Sequence, residues 1–205
     1  MPRRIKNEGG LYNLTEIPMD QVMEYQAHEV GEPFFLMLKV PAEDEKFMDD
    51  YKHYTKSNIN VCYAAPRSAG KPRNWYETQL TVTKEARLQK GYPYKGVPFY
   101  AVTDDGFGFL AHTTSQNNKQ FAAVGDELIL GKWIKGRLVE DGLVTPIEDT
   151  SKDLNRLGMI TKEMLEEYGC NAVAFQQTDL RIEDPINNNN TYEVWTLKLV
   201  QIDDE

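Results

Sequence analysis

Residues 98–113 read PFYAVTDDGFGFLAHT. Two β-rich runs flank Asp104-Asp105-Gly106, and Asp-Gly is a strong hairpin-turn pair, so this stretch predicts two antiparallel strands. The same two aspartates could be an acidic site for a metal or a general base, but a hairpin turn explains both more simply. After it, SQNNKQ (115–120) reads as a polar, turn-prone loop. Further out, YETQLTV (76–82) alternates apolar and polar residues as a half-buried strand should. AVAFQQTDL (172–180) and TYEVWTLKLV (191–200) read as strands around an INNNN loop, and FFLMLKVP (34–41) as a buried strand closed by proline. KSNINVCYAAP (56–66) predicts a turn followed by a short strand.

Two longer helices are marked. ELILGKWIKGRLVEDG (127–142) carries Leu128, Leu130, Ile134 and Leu138 near helical spacing. The segment from Thr161 to Gly169 has a capping threonine, an apolar face and a glycine stop. Shorter helical turns are expected at 84–89, within IPMDQVMEYQAHEV (17–30), and in the acidic stretch AEDEKFMDDYKHY (42–54). Six or seven short strands with two main helices predict a mainly β fold, a small barrel or open barrel.

With 205 residues the chain can bury a core without metals or disulfides. Cys62 and Cys170 have no Cys or His partners at metal spacing, and read as reduced thiols in a cytoplasmic protein. No run approaches the roughly 18 apolar residues of a membrane helix. The net charge is −9, but it is unevenly spread. Residues 1–60 hold 7 Lys/Arg against 11 Asp/Glu, residues 66–137 hold 11 against 6, and residues 138–205 hold 5 against 15. Solvent screens charge over about 8 Å, so a polyanion meets the local field of the middle block rather than the total. Its basic residues start at Arg67, Lys71, Arg73, Lys84, Arg87, Lys90 and Lys95.

Three segments gain meaning together: KPRNWYETQLTV (71–82), PFYAVTDDGFGF with SQNNKQF (98–121), and LILGKWIKGRLVEDGLV with ITKEMLEEYG (128–144 and 160–169). In this order and spacing they resemble the C-terminal DNA-recognition domain of NgoFVII-type restriction endonucleases. That domain shares a pseudobarrel class with the plant B-three transcription-factor domain and with the BfiI and EcoRII effector domains. The resemblance covers residues 61–200. It implies a seven-stranded open pseudobarrel at 61–205, preceded by an N-terminal α/β extension (1–60) that packs on the barrel or docks a partner. It also implies two arms in the major groove of double-stranded DNA. The N-terminal arm falls on Arg67, Ser68, Lys71, Arg73, Asn74, Trp75, Tyr76 and Glu77. The C-terminal arm falls on Ser115, Gln116, Asn117, Asn118, Lys119 and Gln120.

The side chains suit this task. Arg73 can fork onto guanine, Asn74, Gln116, Asn117 and Asn118 onto adenine, and Glu77 can accept from cytosine. Lys71, Lys119, Ser68 and Ser115 suit phosphates. Trp75 reads as core packing behind the arm, and Lys132, Lys135 and Arg137 as either solvated or phosphate-touching.

The phospholipase-D-like nuclease that usually precedes this domain needs His-x-Lys, and residues 30, 55 and 114, two places after the three histidines, are Val, Thr and Thr. No P-loop, nucleophile elbow or zinc spacing occurs. The reading is therefore a sequence-specific DNA binder without catalytic residues, metal or cofactor, serving a separate nuclease or other protein subunit. Two alternatives stand beside it. One is a small metal-dependent restriction endonuclease using acids in 20–54, where Asp44-Glu45-Lys46 offers Asp-x-Lys, with Glu29 or Glu32. The other is a protein-interaction or DNA-mimic module.

Overall fold

The TDDG hairpin forms as its sequence predicts, and the rest of the sheet is built outward from it. A computed structural model describes residues 14–48, 59–66, 68–184 and 189–203. The strands are β1 (Thr15–Glu16), β2 (Phe34–Met37), β3 (Leu80–Thr81), β4 (Phe99–Thr103), β5 (Phe107–Thr114), β6 (Gln120–Ala123), β7 (Ala172–Glu183) and β8 (Thr191–Val200). Four helices accompany them: α1 (Met19–Ala27), α2 (Lys84–Arg87), α3 (Ile129–Glu140) and α4 (Lys162–Tyr168).

Seven strands follow one another in the order β2-β7-β8-β4-β5-β6-β3, with β1 paired onto β5. All of these pairings are antiparallel except β4 with β8, which run parallel with Tyr100 opposite Val194. Four strand steps separate β7 from β6, about 19 Å in a flat sheet. Yet the rings of Phe175 on β7 and Phe121 on β6 lie 5.3 Å apart. The sheet is therefore curled into a nearly closed barrel, the mainly β pseudobarrel the sequence predicts. The strand β2, from within residues 1–60, supplies one edge of it.

Odd-numbered residues of β4, β5, β7 and β8 point inward, where Phe99, Phe109, Phe175, Trp195 and Leu197 share one core with Phe34, Leu80, Phe121 and α3. Even-numbered residues Tyr100, Val102, Leu110 and Val194 face outward, and α1 covers them with Val22 and Tyr25. Both faces of β4 are thus buried, which is why its whole run FYAVT is shielded from solvent. At Gly108 an added Cβ would fall 2.1 Å from the Tyr100 hydroxyl, so glycine is what lets this layer close.

The turn itself is a three-residue loop. Gly106 N–H donates to Thr103 O, and Gly106 takes φ +93°. Its aspartates anchor α3. Arg137 Nη1 donates to Asp104 Oδ1 at 2.5 Å, Arg137 Nε to the Tyr168 hydroxyl at 2.6 Å, and Trp133 Nε1 to Asp105 Oδ1 at 2.8 Å. The pair that could have been a metal or base site is a structural clamp.

Several local expectations change. Val61–Tyr63 is a 3-10 turn rather than a strand. Its neighbour Asn60 spends both amide atoms on the backbone of Ile160, which turns the chain out of any ladder. Of YETQLTV only Leu80–Thr81 joins the sheet, because a turn at 74–77 diverts the start: Glu77 N–H donates to Asn74 O and Tyr76 N–H to the Asn74 side chain. Within the acidic stretch 42–54, Glu43–Glu45 form a 3-10 turn, and 49–58 lie outside the described residues. β6 begins at Gln120, the last residue of the expected loop, and runs to Ala123. Both cysteines are buried and free, and burial pushes the Cys170 thiol up to about 11. Among the described residues no helix is long and apolar enough to cross a membrane.

Arg137→Met should lower the unfolding free energy in urea by about 3 kcal/mol, because it strands Asp104 and Asp105 without their cation in a largely buried site. An unchanged midpoint would refute the clamp. Burial also raises the hydroxyls of Tyr63 and Tyr100 far above the ordinary tyrosine range, and Tyr92 to about 12. Unfolded tyrosines ionise near pH 10 while these hold their protons, so the folded state binds more protons there. Stability should fall as the pH rises from about 10 through 12, with a shallower fall for Tyr63→Phe. Lys135, pushed down by burial, acts with the opposite sign but is outnumbered.

Candidate nucleic-acid interface

The two predicted arms bracket the edge strand β3. Leu80 pairs with Phe121 and Thr81 with Gln120, and Val82 N–H donates to Lys119 O. The C-terminal arm therefore meets one end of β3, and the N-terminal arm leads into the other.

The N-terminal arm is tied down at its base. Trp75 is buried and its Nε1 donates to Gly158 O at 2.7 Å, as a core residue behind the arm should. Helix α3 packs on the arm backbone so closely that a Cβ on Gly131 would sit 1.7 Å from Tyr76 O. Lys135 is fully buried and donates to Trp75 O, with Cys62 Sγ at 3.4 Å and its ammonium 4.7 Å from the Trp75 ring centroid. Burial pushes the Lys135 ammonium below the usual lysine range, opposed by Cys62 and Glu77. None of the three α3 cations is simply solvated: Lys132 pairs with Asp126 at 3.1 Å and Arg137 with Asp104.

On this base the predicted contact residues divide into two groups. Ser68, Lys71 and Asn74 are exposed, with Ser68 and Lys71 bridging across a tight turn around Gly70. Arg73 and Glu77 face each other instead: Arg73 Nη1 donates to Glu77 Oε1 at 2.7 Å and Arg73 Nε to Ala65 O at 3.0 Å. Glu77 is buried. Tyr76 is half-buried, edge-on to Trp75 at 5.0 Å, and burial raises its hydroxyl. Arg67 lies outside the described residues.

The C-terminal arm is a tight knuckle. Ser115, Asn117 and Asn118 take φ of 68°, 59° and 55°, and Gln116–Asn118 form a 3-10 turn. Three left-handed non-glycine residues within four positions are costly, and they persist only where the surroundings hold them. Those surroundings are the 83–95 segment. Arg87 Nη1 donates to Asn117 O at 2.5 Å, the Tyr92 hydroxyl to Asn118 O at 3.0 Å, and Asn118 Nδ2 to Pro93 O at 2.8 Å. The result presents Gln116, Asn117 and Lys119 to solvent, with Gln120 entering β6.

The segment 84–97 was not assigned to the interface by sequence, although its lysines were part of the basic block. It stands directly beside the C-terminal arm and exposes Leu88, Tyr94 and Val97, interleaved with Lys90 and Lys95. Basic residues interleaved with exposed apolar ones were the available signal. Among the described residues no group of three or more His, Cys, Asp or Glu could hold a metal ion. Of the acids weighed for catalysis, Glu29 accepts from Thr196 Oγ1 at 2.6 Å and from Lys198, while Lys46 of the Asp-x-Lys triplet pairs with Glu43.

No curated protein matches the chain. A family model, that of the NgoFVII C-terminal B3-like DNA-binding domain, matches residues 32–168, about two-thirds of the chain. Its span takes in β2 through α4, with both arms and the clamp between the hairpin and α3. The chain belongs to the family of NgoFVII C-terminal B3-like DNA-binding domains.

Proposed function

We propose that this chain is the recognition module of a restriction-type system, binding double-stranded DNA sequence-specifically with its two arms in the major groove. The observation that carries the reading is the family match over residues 32–168. The placement of the arms at the two ends of β3 supports it, as does the basic excess of residues 66–137. In this reading Gln116, Asn117 and Asn74 read base edges, while Ser68, Lys71 and Lys119 set phosphates; the Ser115 hydroxyl, expected to do the same, is buried within the knuckle. Arg73 and Glu77 act as a pair that shapes the N-terminal arm, with Tyr76 bracing it. Asn118 and Gln120 hold the knuckle of the other arm. Arg67 is included on its sequence position alone.

The module acts in the cytoplasm without cutting DNA itself, and delivers its site to a separate nuclease or other protein subunit. Apart from β2, which is an edge of the barrel, residues 1–60 pack on or dock beside the domain formed by 61–205. Incubation with plasmid and magnesium should leave the plasmid intact, and cleavage lost in Asp44→Ala would sink the binder-only reading.

The decisive experiment is selection from a randomised duplex pool at low salt, where electrostatic binding is strongest. A single enriched motif is expected, and failure to retain any duplex would overturn DNA binding and favour the DNA-mimic reading. On the selected duplex, Lys119→Ala should weaken binding to all sequences alike and reduce the slope of log affinity against log salt by about 1. Gln116→Ala should cost about 1–3 kcal/mol and relax preference at one base pair. If both variants select the wild-type motif with wild-type salt dependence, the two-arm arrangement is wrong.

A further inference from the structure

Beside the C-terminal arm the barrel mouth opens into a pocket of about 580 Å³. The aromatic surface open to it belongs to half-buried Tyr92 and exposed Tyr94, while Phe99 and Trp195, from the inward faces of β4 and β8, lie beneath as buried core rings. The barrel is open here because β7 loses register with β8 between Gln177 and Arg181. Such an irregularity re-aims side chains. Gln177 lies opposite Trp195, and Arg181 opposite Glu193, all on the inward face. The Gln177 amide makes no side-chain hydrogen bond with another described residue, so one donor and one acceptor are available at the floor. Glu193 uses Oε2 to accept from Trp195 Nε1 at 3.2 Å, which aligns its carboxylate across the same floor. The rim is cationic, with Arg87, Lys95 and Arg181.

An aromatic wall of Tyr92 and Tyr94, an amide, a carboxylate and a cationic rim together match the parts of a nucleotide. The ring stacks, the amide and carboxylate meet a base edge carrying an exocyclic amino group, and the rim takes the phosphate. Asn118 of the C-terminal arm also lines the pocket, so DNA held by that arm passes over its mouth. We propose that this pocket takes a single nucleotide with an amino-bearing base, adenine, cytosine or guanine, extruded from the bound duplex. Enzymes that read a base outside the stack use the same combination of stacking and edge contacts. The extrusion rests on the DNA-binding function proposed above, whereas the pocket's chemistry does not.

The test uses the full chain and the duplex recovered by selection, with 2-aminopurine placed at successive positions. Binding is followed by anisotropy and unstacking by 2-aminopurine fluorescence in the same sample. Wild type should give a several-fold fluorescence rise at or beside one position. Gln177→Leu, which keeps the side-chain volume, should bind with affinity within a few-fold of wild type but lose that rise. Glu193→Gln should reduce it, and thermal melts verify that both variants fold. Anisotropy binding with no fluorescence rise at any position would overturn the proposal. If no duplex binds at all, the DNA-binding reading fails, and titration with free dAMP, dCMP and dGMP then decides the pocket. Saturable quenching of tryptophan fluorescence that is lost in Gln177→Leu supports a nucleotide site, and no quenching overturns it.

Discussion

The aromatic plug inside the barrel is the constraint on which the rest depends. Phe34, Phe99, Phe121, Phe175 and Trp195 come from five strands, and their rings meet at centroid distances of 5.3 to 6.0 Å. Five large rings cannot be shielded by one face of an open sheet, so the sheet curls until β6 and β7 meet across the interior. Burying such rings is among the largest single favourable contributions available to a chain of this size. The curl makes β3 an edge strand with an arm at each end, and it leaves a mouth where β7 slips out of register. Arm spacing is therefore a property of the barrel's closure and not of the arms.

A second layer of constraint fixes the arms to that barrel. Helix α3 is held on one side by the hairpin aspartates through Arg137 and Trp133, and on the other it meets the N-terminal arm at Gly131 and Lys135. One helix thus couples the TDDG turn to the arm base. The C-terminal arm uses a different device, a strained knuckle pinned by Arg87 and Tyr92. Preorganisation of this kind reduces the ordering cost that flexible loops would carry on binding.

Much of this was legible in the sequence, and the parts that were not share a physical cause. The hairpin, α3, α4, β7 and β8 carry strong periodicity or defined turn chemistry over many residues, and all formed. The short elements were decided by tertiary contacts. Val61–Tyr63 became a turn because Asn60 binds Ile160, a hundred positions away, and Tyr76–Thr78 left the ladder because α3 packs there. The role of Asp104 and Asp105 was open until Arg137 was placed beside them. The positions of the arms were readable only through the family resemblance. In isolation SQNNKQ is an ordinary polar turn, and its left-handed residues become visible only in three dimensions. The neighbouring 84–97 segment entered the sequence reading only as a short helix and part of the basic block, because the exposure of Leu88 and Tyr94 is settled in three dimensions.

The division between backbone-held arms and outward-pointing tips has an evolutionary consequence. Lys71, Gln116 and Lys119 make no side-chain hydrogen bond or ion pair with another described residue, while the residues that hold their loops in place are different ones: Gly131, Trp75, Arg87 and Tyr92. Substitutions at the tips therefore leave the contacts of the scaffold untouched, whereas substitutions at the supports remove them. A lineage built this way can vary the chemistry of its tips through folded intermediates. The surface changes at a handful of positions, with the barrel beneath them inherited intact.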